Sequence, residues 1–175
     1  RPAMHARLTV LALVVLAAGL APPTALGKDA ASQDIWQGAV QFGDNPRWAD
    51  PAFDDSGWST RWLYPAPDSL GVHWMRAHIT LDSTRAPFQP YGLKLSMLAA
   101  AEVYWDGVLI GRNGRVGPTR AQEEPGTIRA VFPIPDSLYT PGEHVIAVRL
   151  SNFYMSPDFA YYLYAFEVGP YASLL

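Results

Sequence analysis

The chain has 175 residues, a formal net charge of −3 at pH 7 and no cysteine. This length suits one domain with a substantial hydrophobic core. The lack of cysteine excludes disulfides, thiolate metal sites, a cysteine nucleophile and a lipid-modified N-terminal cysteine. The acidic balance provides no basic patch to neutralise phosphates, so nucleic acid is not an expected partner.

The first 27 residues have the three-part pattern of a secretory signal. A weakly basic start with Arg1, His5 and Arg7 precedes an apolar run over 8–21, then two prolines and small residues. The run is shorter than the roughly 20 residues that a membrane-spanning helix needs. We expect cleavage after Gly27 and export of the mature chain. An uncleaved N-terminal anchor is the alternative.

A polar linker is predicted over 28–34, and a first edge strand over 35–42. Residues 43–58 follow as a loop rich in Asp, Pro and Gly, with three aromatic residues. We expect these aromatic residues to anchor the loop and to close one end of the fold; they are Trp48, Phe53 and Trp58.

The same loop contains three closely spaced carboxylates, Asp50, Asp54 and Asp55. Calcium takes six to eight oxygen ligands, so a calcium site is one hypothesis. The alternative is that the carboxylates accept backbone N–H bonds in turns. The alternative is favoured, because the stretch lacks the strict spacing of a calcium-binding loop, and no metal is assigned.

Residues 72–81 alternate cleanly between apolar and other side chains, which predicts a strand with one face in the core. The predicted core face consists of Met75, Ala77, Ile79 and Leu81, and the opposite face of Trp74, Arg76, His78 and Thr80. Further strands are predicted over 93–97, 128–132, 145–151 and 161–168.

Residues 101–117 predict a β-hairpin around Asp106-Gly107, the dipeptide favoured in a two-residue type I′ turn. The turn sets a register that pairs Trp105 with Val108, Tyr104 with Leu109, Val103 with Ile110, and Glu102 with Gly111. One face of this hairpin then forms a core patch, made of Val103, Trp105, Val108 and Ile110.

About eight short strands are predicted, and no helical pattern longer than two turns occurs outside the signal. This predicts an all-β fold, an antiparallel two-sheet β-sandwich of jelly-roll type over 35–169. Residues 170–175 are expected to begin a connection to a further, downstream region.

The sequence carries no signal for catalysis: there is no glycine-rich phosphate loop, no nucleophile elbow and no metal-spaced histidine pair. His73 and His78 fall on opposite faces of one strand. Nothing in the sequence signals a Ser-His-Asp triad either, and no cofactor is assigned.

The face opposite the core is a candidate carbohydrate site, because aromatic rings stack on pyranose C–H groups and charged groups bond hydroxyls. The alternative is a structural Arg76–Glu102 ion pair, with the aromatic residues packed under loops. The candidate ligand-binding residues are Trp74, Arg76, Glu102, Tyr104, Arg149 and Asn152.

Several stretches together resemble a known family: DPAFDDSGW (50–58), GVHWMR (71–76), EVYWDGVLIGRNGRVG (102–117) and PGEHVIAVRLSN (141–152). They resemble the galactose-binding-like jelly roll at the N-terminus of glycoside hydrolase family 2 enzymes. They look even more like the exported sensor domain of bacterial membrane receptors with diverse intracellular signalling modules. The resemblance spans 35–169 and departs from the pattern at Asp106, where the family usually has Asn.

The resemblance implies a non-catalytic, ligand-sensing domain of a membrane-bound signalling protein such as a histidine kinase, cyclase or phosphatase. It implies that this domain lies on the periplasmic, extracytoplasmic side of the cytoplasmic membrane. The implied partners are a carbohydrate or other small molecule and a downstream transmembrane region of the same protein. The alternative is an accessory sugar-binding-like sandwich of a secreted glycoside hydrolase. A purely structural or interaction domain is a third possibility.

Overall fold

The computed structural model describes residues 32–62, 70–82, 89–155 and 165–175. The predicted signal segment, most of the predicted linker and residues 161–164 of the last predicted strand lie outside these ranges. Among the described residues, no helix has both the length and the apolar character required to span a bilayer.

The described residues form two antiparallel β-sheets, which confirms the predicted sandwich. Ten strands are described: β1 (Gln33–Ile35), β2 (Gln37–Phe42), β3 (Ser59–Trp62), β4 (Val72–Leu81), β5 (Tyr91–Ser96), β6 (Ala100–Trp105), β7 (Val108–Asn113), β8 (Arg129–Ile134), β9 (Gly142–Ser151) and β10 (Ala165–Pro170). A short 3-10 turn covers Pro46–Ala49, and a one-turn helix, α1, covers Tyr171–Leu174.

One sheet has four strands in the order β1-β10-β5-β8, and the other has six in the order β3-β2-β4-β9-β6-β7. The core lies between the sheets, where alternation places apolar side chains from both inner faces. The predicted inward residues of β4 are all buried there. So are Ile146, Val148 and Leu150 of β9, as their alternation predicts.

The central hairpin, β6 and β7, has the predicted turn: Asp106 and Gly107 both have positive φ, 47° and 81°. The side chain of Asp106 fixes the turn, because its Oδ1 accepts a 2.8 Å bond from the backbone N–H of Val145. Its Oδ2 lies 2.7 Å from Nδ1 of His144.

The predicted register is confirmed for the two pairs next to the turn and wrong beyond them. A β-bulge follows Leu109, so that Val103 pairs with Gly111 and Glu102 with Arg112. A Cβ at Gly111 would lie 2.0 Å from the Phe132 ring. The bulge therefore places a residue without a side chain under that ring.

The bulge and the sheet edge also change the predicted core patch of the hairpin. Val103 and Trp105 are fully buried, and Ile110 packs partly buried against the core. Val108 is 46% exposed, so its assignment to the core was wrong. It is the first residue of β7, which is an edge strand of the six-stranded sheet.

Both ends of the described domain differ from the predicted boundaries by a few residues. Strand β1 begins at Gln33, inside the predicted linker. At the other end, α1 packs on the domain: Leu174 is buried, and the N–H of Tyr171 donates a 2.9 Å bond to the carbonyl of Pro90.

Candidate functional site

The face of β4 that carries Trp74 and Arg76 is closed by residues 43–58, which we call the covering loop. Trp74 is fully buried and stacks on Tyr104, with ring centroids 5.6 Å apart. Trp48 of the covering loop meets Trp74 edge-on at 6.3 Å and Trp58 edge-on at 5.0 Å. The predicted anchoring role of the loop aromatics is confirmed. They hold the covering loop on the face of the sheet, however, and not at an end of the sandwich.

Arg76 holds the covering loop to the sheet. Its side chain is completely buried and its Nε donates a 2.6 Å bond to Asp55, which makes an ion pair. The two terminal nitrogens donate to three backbone carbonyls of the loop, at 2.5 Å to Trp48, 3.0 Å to Asp50 and 3.3 Å to Phe53. Arg76 thus pairs with Asp55 and not with Glu102.

The three carboxylates of the covering loop accept hydrogen bonds from other groups of the chain. Asp50 accepts a 2.9 Å bond from the N–H of Ala52, and Asp54 a 3.0 Å bond from the N–H of Ser56. These two are turn caps, as the favoured alternative predicts. Among the described residues, no group of three or more His, Asp or Glu side chains could hold a metal ion.

Asp55 is the carboxylate that links the covering loop to β4. Besides Arg76, it contacts Nε2 of His78 at 2.9 Å. Burial opposes ionisation of Asp55, but hydrogen bonds from His78 and Arg76 outweigh this effect and lower its pKa. The carboxylate is therefore held in its charged form.

Beside the covering loop, four side chains form a second cluster that reaches solvent; we call it the charged cluster. Arg149 donates a bidentate pair of bonds to Asp44, at 2.7 and 2.6 Å, and a third bond of 3.1 Å to Glu102. Arg112 donates a 3.2 Å bond to the other oxygen of Glu102. Tyr104 borders the cluster, and its hydroxyl donates a 3.1 Å bond to Glu102.

The ionisation of the charged cluster is coupled through Arg149. Hydrogen bonds from Arg149 lower the pKa of Asp44. Burial raises the pKa of Glu102, but bonds from Arg149, Tyr104 and Arg112 reverse this effect, so that its pKa is lowered as well. The bond to Asp44, followed by the one to Glu102, raises the pKa of Arg149. Asp44, Glu102 and Arg149 are therefore held in their charged forms.

The structure brings together only part of the predicted ligand-binding set. Glu102, Tyr104 and Arg149 lie in one cluster, with Trp74 buried beneath Tyr104. Arg76 and Asn152 are fully buried elsewhere. Asn152 accepts a 2.8 Å bond from the N–H of Gly71, which joins the start of β4 to the end of β9.

Sequence reasoning missed two members of the charged cluster. Asp44 comes from the first residues of the covering loop, whose path over the sheet is not encoded in any local pattern. Arg112 reaches Glu102 only because of the bulge, which makes the two residues direct partners.

A cavity of about 400 Å³ lies between the last residues of β4 and the first residues of β9, at the end of these strands away from the Gly71–Asn152 contact. Its polar lining includes His78, Thr80, Glu143 and His144. Both ring nitrogens of His144 are engaged, one by Asp106 and the other by the carbonyl of Thr140 at 2.6 Å. Pro51 is the covering-loop residue in this lining, and the described residues that line the cavity include no Trp, Tyr or Phe side chain to stack on a sugar.

His73, at the start of β4, predicts a pH dependence of stability. Nδ1 donates a 3.1 Å bond to the carbonyl of Gly71, while Nε2 is buried with no hydrogen-bond partner in the described part of the chain. Burial lowers the pKa of His73, against the opposing effect of the Gly71 bond. The unfolded chain keeps an ordinary histidine pKa of about 6.5. Between these two values the unfolded state binds more protons, so stability falls as pH falls through about 6.5.

We expect His73→Phe to remove this part of the pH dependence. The measurement is the free energy of unfolding in urea at several pH values between about 5 and 8. The carboxylates with lowered pKa values change the free energy of unfolding only at about pH 4 and below, outside this range. If the slope in the histidine window is the same in the variant and the parent chain, His73 is not its source.

Comparison with solved structures identifies the fold. A calcium-binding mutant of Bacteroides uniformis β-glucuronidase 2 matches with a TM-score of 0.57 and 21% identity, over 78% of this chain and 18% of that one. A glycoside hydrolase family 2 member from Bacteroides cellulosilyticus matches with a TM-score of 0.55 and 15% identity, over 79% of this chain and 20% of that one. This chain has their β-sandwich fold.

A third similar structure is β-glucuronidase from Ruminococcus gnavus, bound to uronic deoxynojirimycin. It matches with a TM-score of 0.53 and 12% identity, over 80% of this chain and 29% of that one. No family model and no curated protein matches the sequence. This chain spans less than a third of the length of the three hydrolases. At sequence identities of 12–21%, the similarity shows a shared fold only.

Proposed function

We propose that the chain is a non-catalytic accessory β-sandwich of a larger, exported glycoside hydrolase. The observation that carries this proposal is the match of 78–80% of this chain to a minor part of two β-glucuronidases and of a glycoside hydrolase family 2 member. A fold that forms less than a third of such enzymes suits a supporting module. Its hydrolytic partner would then be a separate domain of the same protein.

The contacts of the charged residues also favour a non-catalytic, accessory role. The two carboxylates of the charged cluster are tied to arginines, and Asp55 is tied to Arg76 and His78. A glycosidase needs one carboxyl group with a raised pKa as general acid and a second one across the scissile bond. Asp44, Asp55 and Glu102 instead have lowered pKa values.

The second candidate function is the extracytoplasmic sensor of a membrane-bound signalling protein. It rests on the Arg115-Val116-Gly117 end of the hairpin and on the strand sequence VRLSN (148–152). Its ligand would be a carbohydrate or another small molecule, and its partner a downstream transmembrane region. Since the similar structures are hydrolases, we rank the sensor second.

The test begins with the coding sequence downstream of Leu175. An α/β-barrel pattern with paired carboxylates supports the hydrolase, whereas apolar runs of about 20 residues support the sensor. For the hydrolase, we expect the longer protein to release 4-nitrophenol from a panel of 4-nitrophenyl glycosides, and the 175-residue chain to release none. Turnover by the 175-residue chain alone would contradict both functions.

A further inference from the structure

The outer face of the four-stranded sheet carries an open cavity of about 210 Å³, which lies outside the candidate site and outside the four sequence stretches that carry the resemblance. Leu93, Leu95 and Phe166 point into the core, so alternation turns Lys94 and Glu167 outward. Register places Asp34, Glu167 and Lys94 in one row across β1, β10 and β5. These residues line the cavity together with Trp36, Ser96 and Arg129.

Trp36 is the aromatic residue that this cavity offers to a ligand. It lies between β1 and β2 and is 45% exposed, in contrast to Trp74 and Trp105, which are fully buried. Contact between water and a large aromatic ring is unfavourable, so a ligand that covers the ring with an apolar surface gains free energy of binding. The ring therefore provides a stacking surface on an otherwise polar face.

The polar groups around Trp36 can supply hydrogen bonds of both kinds. Lys94 and Glu167 form a 2.9 Å ion pair, with side chains 24% and 19% exposed. This pair offers both donors and acceptors to a neighbour. The guanidinium of Arg129 is exposed, and among the described residues it has neither a hydrogen-bond nor an ion-pair partner, so its N–H groups remain available.

Saccharides fit this combination better than an apolar peptide does. A pyranose ring presents C–H groups to an aromatic ring on one face and hydroxyls around its rim. An apolar peptide would need a continuous apolar patch, but charged side chains border Trp36 in the cavity. Successive strands are about 4.8 Å apart, so a ligand lying across the sheet from Trp36 to Arg129 could engage more than one sugar unit.

We propose that this cavity is a saccharide-binding site, in which Trp36 stacks on a pyranose ring and Arg129, Lys94 and Glu167 bond its hydroxyls. The inference extends the proposed function, because an accessory domain with this site would hold a hydrolase on its polymer. It places the ligand on the sheet opposite the charged cluster.

The test is native affinity electrophoresis of the 175-residue chain in gels that contain xylan, glucuronoxylan, mixed-linkage β-glucan or chondroitin sulfate. We expect retardation in at least one gel. Trp36→Ala should weaken that binding about tenfold or more, Trp36→Phe should keep most of it, and Arg129→Ala should weaken it severalfold. Tyr154→Ala is the matched control, because Tyr154 is 48% exposed and lies outside the cavity.

Retardation that depends on Trp36 but not on Tyr154 supports the site. No retardation in any of the four gels would overturn the inference, as would binding that Trp36→Ala leaves unchanged or that Tyr154→Ala weakens equally. Thermal melting of each variant separates lost binding from lost folding. The downstream sequence tests the proposed function separately, so a hydrolase without Trp36-dependent binding would refute this site alone.

Discussion

Replacing Arg76 with methionine is expected to destabilise the folded chain by about 3–5 kcal/mol, the range observed when one partner of a buried ion pair is removed. Methionine fills much of the same space but donates no hydrogen bond. Among the described residues, Asp55 would retain His78 alone as a side-chain partner, and the carbonyls of Trp48, Asp50 and Phe53 would lose the Arg76 donors. Urea unfolding of variant and parent chains measures the loss.

Arg112→Met is the matched control, because it removes the same type of side chain from the same sheet. Arg112 is 61% exposed, and its 3.2 Å bond to Glu102 is an exposed ion pair of the kind that contributes about 0–1 kcal/mol. A loss below about 1 kcal/mol for Arg76→Met, equal to that of Arg112→Met, would show that water replaces the guanidinium without cost.

A double-mutant cycle with Asp55→Asn separates the ion pair from the carbonyl contacts. Residues in direct contact show coupling energies of about 0.5–3 kcal/mol. If the Arg76–Asp55 pair carries the stabilisation, the double variant should be much less destabilised than the sum of the single variants. Near-additive losses would instead assign the stabilisation to the three carbonyl bonds.

The sequence predicted most accurately those features that neighbouring residues determine. Alternation located the core face of β4 correctly, and Asp106-Gly107 located the hairpin turn, since both patterns depend on the local backbone. The sandwich architecture followed from the number and spacing of such strands.

What the sequence could not predict depends on contacts between distant segments. Alternation shows that Trp74 and Arg76 share a face but gives no information about what covers it, and the covering loop reaches Arg76 from residues more than 20 positions away. For the same reason those residues resembled an open ligand site. The bulge was missed because it accommodates Phe132, which comes from the opposite sheet.

Replacing Trp74 with alanine is the second large effect that we expect, at about 3–5 kcal/mol of lost stability, the range for removing a buried Trp or Phe side chain. The ring is fully buried between the sheet and the covering loop. The indole N–H approaches the Asp44 carboxylate and helps to lower its pKa, but its geometry falls short of a hydrogen bond. Packing therefore accounts for most of the expected loss, and Trp74→Phe should recover much of it.

The same substitution should release the covering loop before the whole domain unfolds. Trp48 would lose the ring it packs against, and the exposed Arg47 beside it would become a better site for trypsin. Native-state digestion with mass spectrometry should show faster cleavage after Arg47 in Trp74→Ala than in the parent chain. The control is Trp36→Ala, which removes a 45% exposed ring between β1 and β2 and should change stability by no more than about 0.5 kcal/mol. Unchanged cleavage together with a loss below 1 kcal/mol would mean that the ring does not hold the loop on the sheet.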